Sequence, residues 1–126
     1  MLREGPVPRV VHGAFEYLAG LLFLAAPILL DYESGTATGV SVTVGVVILI
    51  VAAVTADLPT SLVKQLTLSA HVAVDFVLAI FLVAAPFVLG FSDEAAPRNL
   101  FMAMGVLHLL ITIGTRFKDR SEHATP

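Results

Sequence analysis

The 126-residue chain contains no cysteine. That excludes a disulfide framework, a thiolate metal site and a thiol nucleophile, and it leaves redox chemistry silent about compartment. Charge is scarce as well: 13% of the residues are Asp, Glu, Lys or Arg, where soluble domains carry about 25%. The seven Lys and Arg are dispersed over loops and tails rather than gathered into a stripe, which argues against nucleic acid as a partner. A net charge of −3 is too small to point to any other. HExxH, GxGxxG, a Walker loop and Gly-x-Ser-x-Gly are all missing, and their absence points away from an enzyme.

What is there is apolar. Hydrophobic residues make up 57% of the chain, and the mean hydropathy is +0.92, a membrane-protein composition. Four apolar runs of spanning length follow one another: residues 10–30, 39–56, 60–91 and 98–115. The breakers between them are "DYESGTATG", "DLPT" and "SDEAAP". The third run, whose first part "SLVKQLTLSAHVAVD" mixes polar residues into apolar ones, outreaches a hydrocarbon core of about 30 Å, so its beginning is expected to project into the interface, with Lys64 snorkelling to the headgroups. Ser92 or Asp93 is expected to cap the fourth helix or a short turn before it, and Pro97 suits a helix start.

The valine-rich second run alternates like a strand over several positions. A lone strand would leave its backbone polar groups unpaired in lipid, so helix is the better reading. The first run is not read as a cleaved signal, because His12 and Glu16 sit inside it and Pro27 follows its small residues.

Six of the seven basic residues fall on one side of this arrangement: Arg3, Arg9, Lys64, Arg116, Lys118 and Arg120, with Arg98 opposite. Both termini and the central loop are therefore expected to face the cytoplasm. The two outer loops then carry Asp31, Glu33, Asp93 and Glu94.

The chain also repeats itself. Residues 12–32, "HGAFEYLAGLLFLAAPILLDY", and 71–91, "HVAVDFVLAIFLVAAPFVLGF", share six identities in 21 positions at a shift of 59. These are His12/His71, Ala14/Ala73, Ala25/Ala84, Ala26/Ala85, Pro27/Pro86 and Leu30/Leu89, and Glu16 lies opposite Asp75. One residue further on in register, "VGVV" at 44–47 meets "MGVL" at 104–107, and Thr55 meets Thr115. The expected fold is all-α: a four-helix integral membrane bundle of two tandem two-helix repeats in parallel orientation, related by a pseudo-twofold axis along the membrane normal. Residues 10–56 form repeat one and 57–116 repeat two, between a cytoplasmic tail at 1–9 and a polar tail at 117–126.

The segments "AAPILLDY" and "AAPFVLGFS" resemble copies of the SPW-repeat motif, a Ser-Pro-Trp followed by an apolar stretch and Gly-Phe. Pro27 and Pro86 match its proline, and Gly90 and Phe91 its Gly-Phe in the second copy. Ala26 and Ala85 stand in the serine place, and Ile28 and Phe87 in the tryptophan place. The resemblance implies a small prokaryotic protein of the cytoplasmic membrane; it brings a topology and no catalytic residues.

A carboxylate within a membrane helix is costly, about 2.5–3.5 kcal/mol at mid-span, and usually faces a partner in the bundle interior. His12 with Glu16, and His71 with Asp75, are i,i+4 neighbours on one helix face. Gly20 and Ala79 lie four residues further on and let helices approach closely. The kink-tolerant Pro27 and Pro86 fall near the outer helix ends. Ser41 and Gly45 mark a packing face on the second span.

The leading reading is a structural, accessory-subunit or assembly protein without a cofactor, whose His/acid pairs join helices one and three. Its partners would be the lipid bilayer and either further copies of itself or a larger membrane complex. Two alternatives use the same residues: a transition-metal or haem site at His12, Glu16, His71 and Asp75, with His108 as an extra or axial ligand, and a proton or ion path. His123, in the polar tail, is given no role.

Overall fold

A computed structural model of the chain describes residues 6–54 and 67–115. The described residues form four helices: α1 (Arg9–Leu29), α2 (Gly35–Val54), α3 (Leu68–Val88) and α4 (Ala95–Gly114). Each is 20 or 21 residues long and apolar enough to cross a membrane, and at 1.5 Å per residue each measures about 30 Å. The helices pair as antiparallel hairpins, α1 on α2 and α3 on α4. The valine-rich run is helical throughout, as the need to satisfy its backbone in lipid requires.

Two helix starts differ from the expected ones. Helix α2 begins at Gly35 rather than at 39, because Ser34 Oγ accepts the Ala37 N–H at 3.1 Å and draws "GTAT" into the first turn. Helix α4 begins at Ala95 with Glu94 at the cap position, where no side chain caps it. Neither Ser92 nor Asp93 takes that part. The Glu94 carboxylate instead reaches the other hairpin and accepts the backbone N–H groups of Glu33 (2.7 Å) and Ser34 (3.0 Å) at the start of α2. An acidic group serves the positive end of a helix, though not its own. Helix α3 starts at Leu68 with Thr67 as its cap; residues 60–66 and 55–56 of the expected third and second spans lie outside the described residues.

The C-terminal ends of α1 and α3 close alike. Tyr32 N–H donates to Pro27 O at 3.0 Å, and Phe91 N–H to Pro86 O at 2.9 Å. The residue between is left-handed in both copies: Asp31 has φ 53° and Gly90 φ 82°. This is the six-to-one closure in which a glycine past the last turn lets the chain fold back on an orphan carbonyl. It gives the Gly-Phe of the second copy a physical reason, and in the first copy Asp31 holds the same conformation at a steric cost.

Small residues set the spacing within each hairpin. A methyl group on Gly45 would fall 2.7 Å from Gly20 O, and one on Gly105 would fall 2.9 Å from Ala79 O. Gly20 and Ala79 thus occupy corresponding contacts, each against the second helix of its own hairpin rather than between α1 and α3. Pro27 has no N–H for the carbonyl of Phe23, four residues earlier. Ser41 Oγ on α2 donates to that carbonyl at 2.7 Å, so the proline and the serine form one device.

The interior divides by depth. Toward the ends of α1 and α3, Phe101 stands edge-on to Phe23 and Phe91, with ring centroids 5.2 and 5.1 Å apart. Leu82, Ile48, Val44, Ala37 and Ala85 complete this core. At the other end, near the starts of α1 and α3 and the end of α4, the buried groups include His12, Glu16, His71, Asp75, His108, Thr112 and Thr115, beside the apolar Val72 and Ala52. Leu18, Leu21, Ile28, Ile50, Val77, Ile80, Phe87 and Leu110 are exposed on the outside of the bundle, as lipid-facing positions should be.

Candidate functional site

His12 and Glu16 sit in the first two turns of α1, His71 and Asp75 in those of α3, and His108 faces them from α4. The fold brings all five into one cluster, and none is more than 1% exposed. Glu16 and Asp75 are both the eighth residue of their helices, which puts them about 10 Å along the axis. The shared depth follows from the repeat.

The i,i+4 spacing foretells contacts within a helix, and these are present: His12 Nε2 to Glu16 Oε1 at 3.3 Å and His71 Nε2 to Asp75 Oδ2 at 3.1 Å. The shorter contacts run between helices. His12 Nε2 lies 3.0 Å from Asp75 Oδ2, and His71 Nε2 lies 2.9 Å from Glu16 Oε1. The same four atoms make all four contacts, so nitrogen and oxygen alternate around a closed ring. Spacing along one helix could not foretell this crossing, because it depends on how α1 and α3 face each other.

His108 makes the site asymmetric. Its Nε2 lies 3.1 Å from Asp75 Oδ1 and 4.0 Å from Glu16 Oε2, and in repeat register its counterpart on α2 is the apolar Ile48. Phe15 packs edge-on against the His108 ring, centroids 5.6 Å apart.

Thr115 was not among the expected site residues. Its hydroxyl donates to Ile111 O, so its oxygen accepts from His12 Nδ1–H at 2.8 Å. That contact fixes which His12 nitrogen carries a proton and turns Nε2 toward the carboxylates. The pairing of Thr55 with Thr115 in the repeat register was the signal that could have drawn attention to it; Thr55 lies outside the described residues. Next to these contacts the chain preceding α1 runs alongside the end of α4, where Val7 N–H donates to Gly114 O at 2.9 Å. Thr112, four residues past His108 and three before Thr115, is on the same face of α4. Its hydroxyl is buried and has no partner among the described residues.

Two ionised carboxylates buried this far from water need compensating charge. Two protons on the imidazoles supply it, and so does one dication. A haem is a poor fit, since the histidine Nε2 atoms are already within hydrogen-bonding distance of carboxylates and leave no slot between them for a flat macrocycle. A path across the membrane also finds little support. Beyond the cluster the described interior is mostly apolar, with Ala19, Phe23, Ile48, Leu82 and Phe101 buried and Ser41 bonded to the Phe23 carbonyl, whereas a relay needs polar groups in succession.

Compared with known proteins, residues 10–115 match the SPW repeat domain, which takes in both hairpins and the whole cluster. No curated protein and no solved structure matches the chain.

Proposed function

The chain belongs to the SPW repeat family and is an integral membrane protein, and from that premise we infer that it is a non-catalytic protein of the structural, accessory-subunit or assembly type. Its cluster fastens hairpin to hairpin, and its apolar outer faces serve lipid, further copies of the chain, or partner chains. Both termini lie in the cytoplasm, and the membrane is the prokaryotic cytoplasmic membrane.

The observation that carries this reading is the crossed pairing of His12 with Asp75 and His71 with Glu16. Among the described residues, His12, Glu16, His71, Asp75 and His108 each contact another member of the cluster, which is how intramembrane polar residues join helices. A catalytic site would leave one of them facing a substrate cavity. Pro27, Gly45 and Gly105 are accounted for in the same terms, as parts of the packing within each hairpin.

The test is the state of the full-length protein in mild detergent. The reading expects a folded assembly with itself or with co-purifying membrane chains, and expects Glu16→Gln combined with Asp75→Asn to weaken that assembly and lower its melting temperature. A lone monomer whose melting is indifferent to the double substitution contradicts it.

A further inference from the structure

We propose that the ring of His12, Asp75, His71 and Glu16 is a binding site for one first-row divalent transition-metal ion, with His108 as a positioning residue that holds Asp75 from outside the ring. The inference rests on the fastening role inferred above and names the ion that strengthens it.

The geometry makes the case. The ring atoms His12 Nε2, Asp75 Oδ2, His71 Nε2 and Glu16 Oε1 are separated in order by 3.0, 3.1, 2.9 and 3.3 Å. Four donors with such edges lie about 2.2 Å from a common centre if the ring is flat and about 1.9 Å if it is puckered into a tetrahedron. Bonds to zinc and its neighbours run about 2.0–2.2 Å for nitrogen and carboxylate oxygen, inside that interval. Calcium needs about 2.3–2.6 Å and an all-oxygen shell, which the imidazoles exclude. Ligand atoms from the four residues lie within 4.8 Å of one another, so closing on an ion requires only small side-chain movements.

The surroundings fit as well. Two carboxylates neutralise a dication, and neutral imidazoles with carboxylates suit zinc, iron, manganese and cobalt. Thr115 accepts from His12 Nδ1–H, the outer hydrogen bond that orients a metal-bound histidine and leaves its other nitrogen to the ion. His108 Nε2 lies 3.1 Å from Asp75 Oδ1, the oxygen outside the ring, so it orients the carboxylate whose other oxygen would take the ion.

The experiment uses full-length protein without a polyhistidine tag, stripped of metal in mild detergent and titrated with Co²⁺ alone and then Zn²⁺. The expected result is saturation at one Co²⁺ per chain, with visible d–d absorption that Zn²⁺ abolishes. His108→Gln should keep the stoichiometry and weaken binding at least about tenfold. Glu16→Gln with Asp75→Asn should abolish binding, and His123→Ala should leave it unchanged. The proposal is overturned if folded wild-type protein shows no saturable binding of either ion, or if binding survives the double substitution. Absent binding with assembly still dependent on Glu16 and Asp75 would sink the metal site and leave the fastening role standing. Binding at the ring with assembly independent of those residues would do the reverse.

Discussion

Glu16 of α1 contacts His71 of α3 at 2.9 Å, closer than it contacts His12 one turn away on its own helix at 3.3 Å. The repeat makes the relationship reciprocal, since Asp75 is also nearer to His12 than to its own His71. The two hairpins are therefore held by polar groups near the starts of α1 and α3, by the Phe23–Phe101 contact further along and by Glu94 at the loops within the hairpins.

The two carboxylates should not be equivalent. Asp75 receives His12, His71 and His108, all at 3.1 Å or less, while His108 stands 4.0 Å from Glu16. Asp75→Asn is expected to destabilise the protein more than Glu16→Gln, with a loss of about 3 kcal/mol as for a broken buried pair. Thermal unfolding of the two single variants in one detergent checks the order.

Ser41→Ala should cost about 1–2 kcal/mol, because it leaves Phe23 O buried with neither a helical donor nor a hydroxyl. Thr43→Ala, two residues on, removes only an exposed hydroxyl bonded to Gly39 O within α2, and its effect should stay within about 0.5 kcal/mol. Unfolding midpoints of the pair separate repair of the proline gap from a general effect of removing hydroxyls.

The matched turns predict opposite signs. Gly90→Ala meets no atom within 4 Å but must hold φ 82°, a cost of about 1 kcal/mol. Asp31→Gly relieves the same conformation at φ 53° and should raise stability by a smaller amount. Melting temperatures moving in the same direction would contradict the shared closure.

The absence of cysteine makes topology easy to read. Single cysteines at positions 3 and 118 are expected to react with an impermeant maleimide only from the cytoplasmic side, and one at position 93 only from the other. Labelling of position 118 from outside intact cells overturns the orientation.

Much of this was legible in the residues. Run length and hydropathy mark the four helices, and the His, acid and proline shared at a shift of 59 mark the duplication and the depth of the cluster. The proline at 27 announces an orphan carbonyl at Phe23, although only the packing of α2 shows that Ser41 answers it. Other features depend on distance in space rather than along the chain. Nothing local to Glu94 announces that its carboxylate serves the start of α2, sixty residues away. The crossing of the pairs likewise follows from side chains of α1 and α3 meeting in the middle of the bundle, which no periodicity within either helix encodes.

A double-mutant cycle between His12 and Asp75 tests the central claim most directly, since these residues belong to different hairpins and meet at 3.0 Å. Unfolding free energies of wild type, His12→Gln, Asp75→Asn and the double variant give their coupling. The account predicts a coupling of at least about 1 kcal/mol, within the range for residues of one polar network. Additivity within about 0.3–0.5 kcal/mol would contradict it, because the two hairpins would then be held together by something other than this cluster.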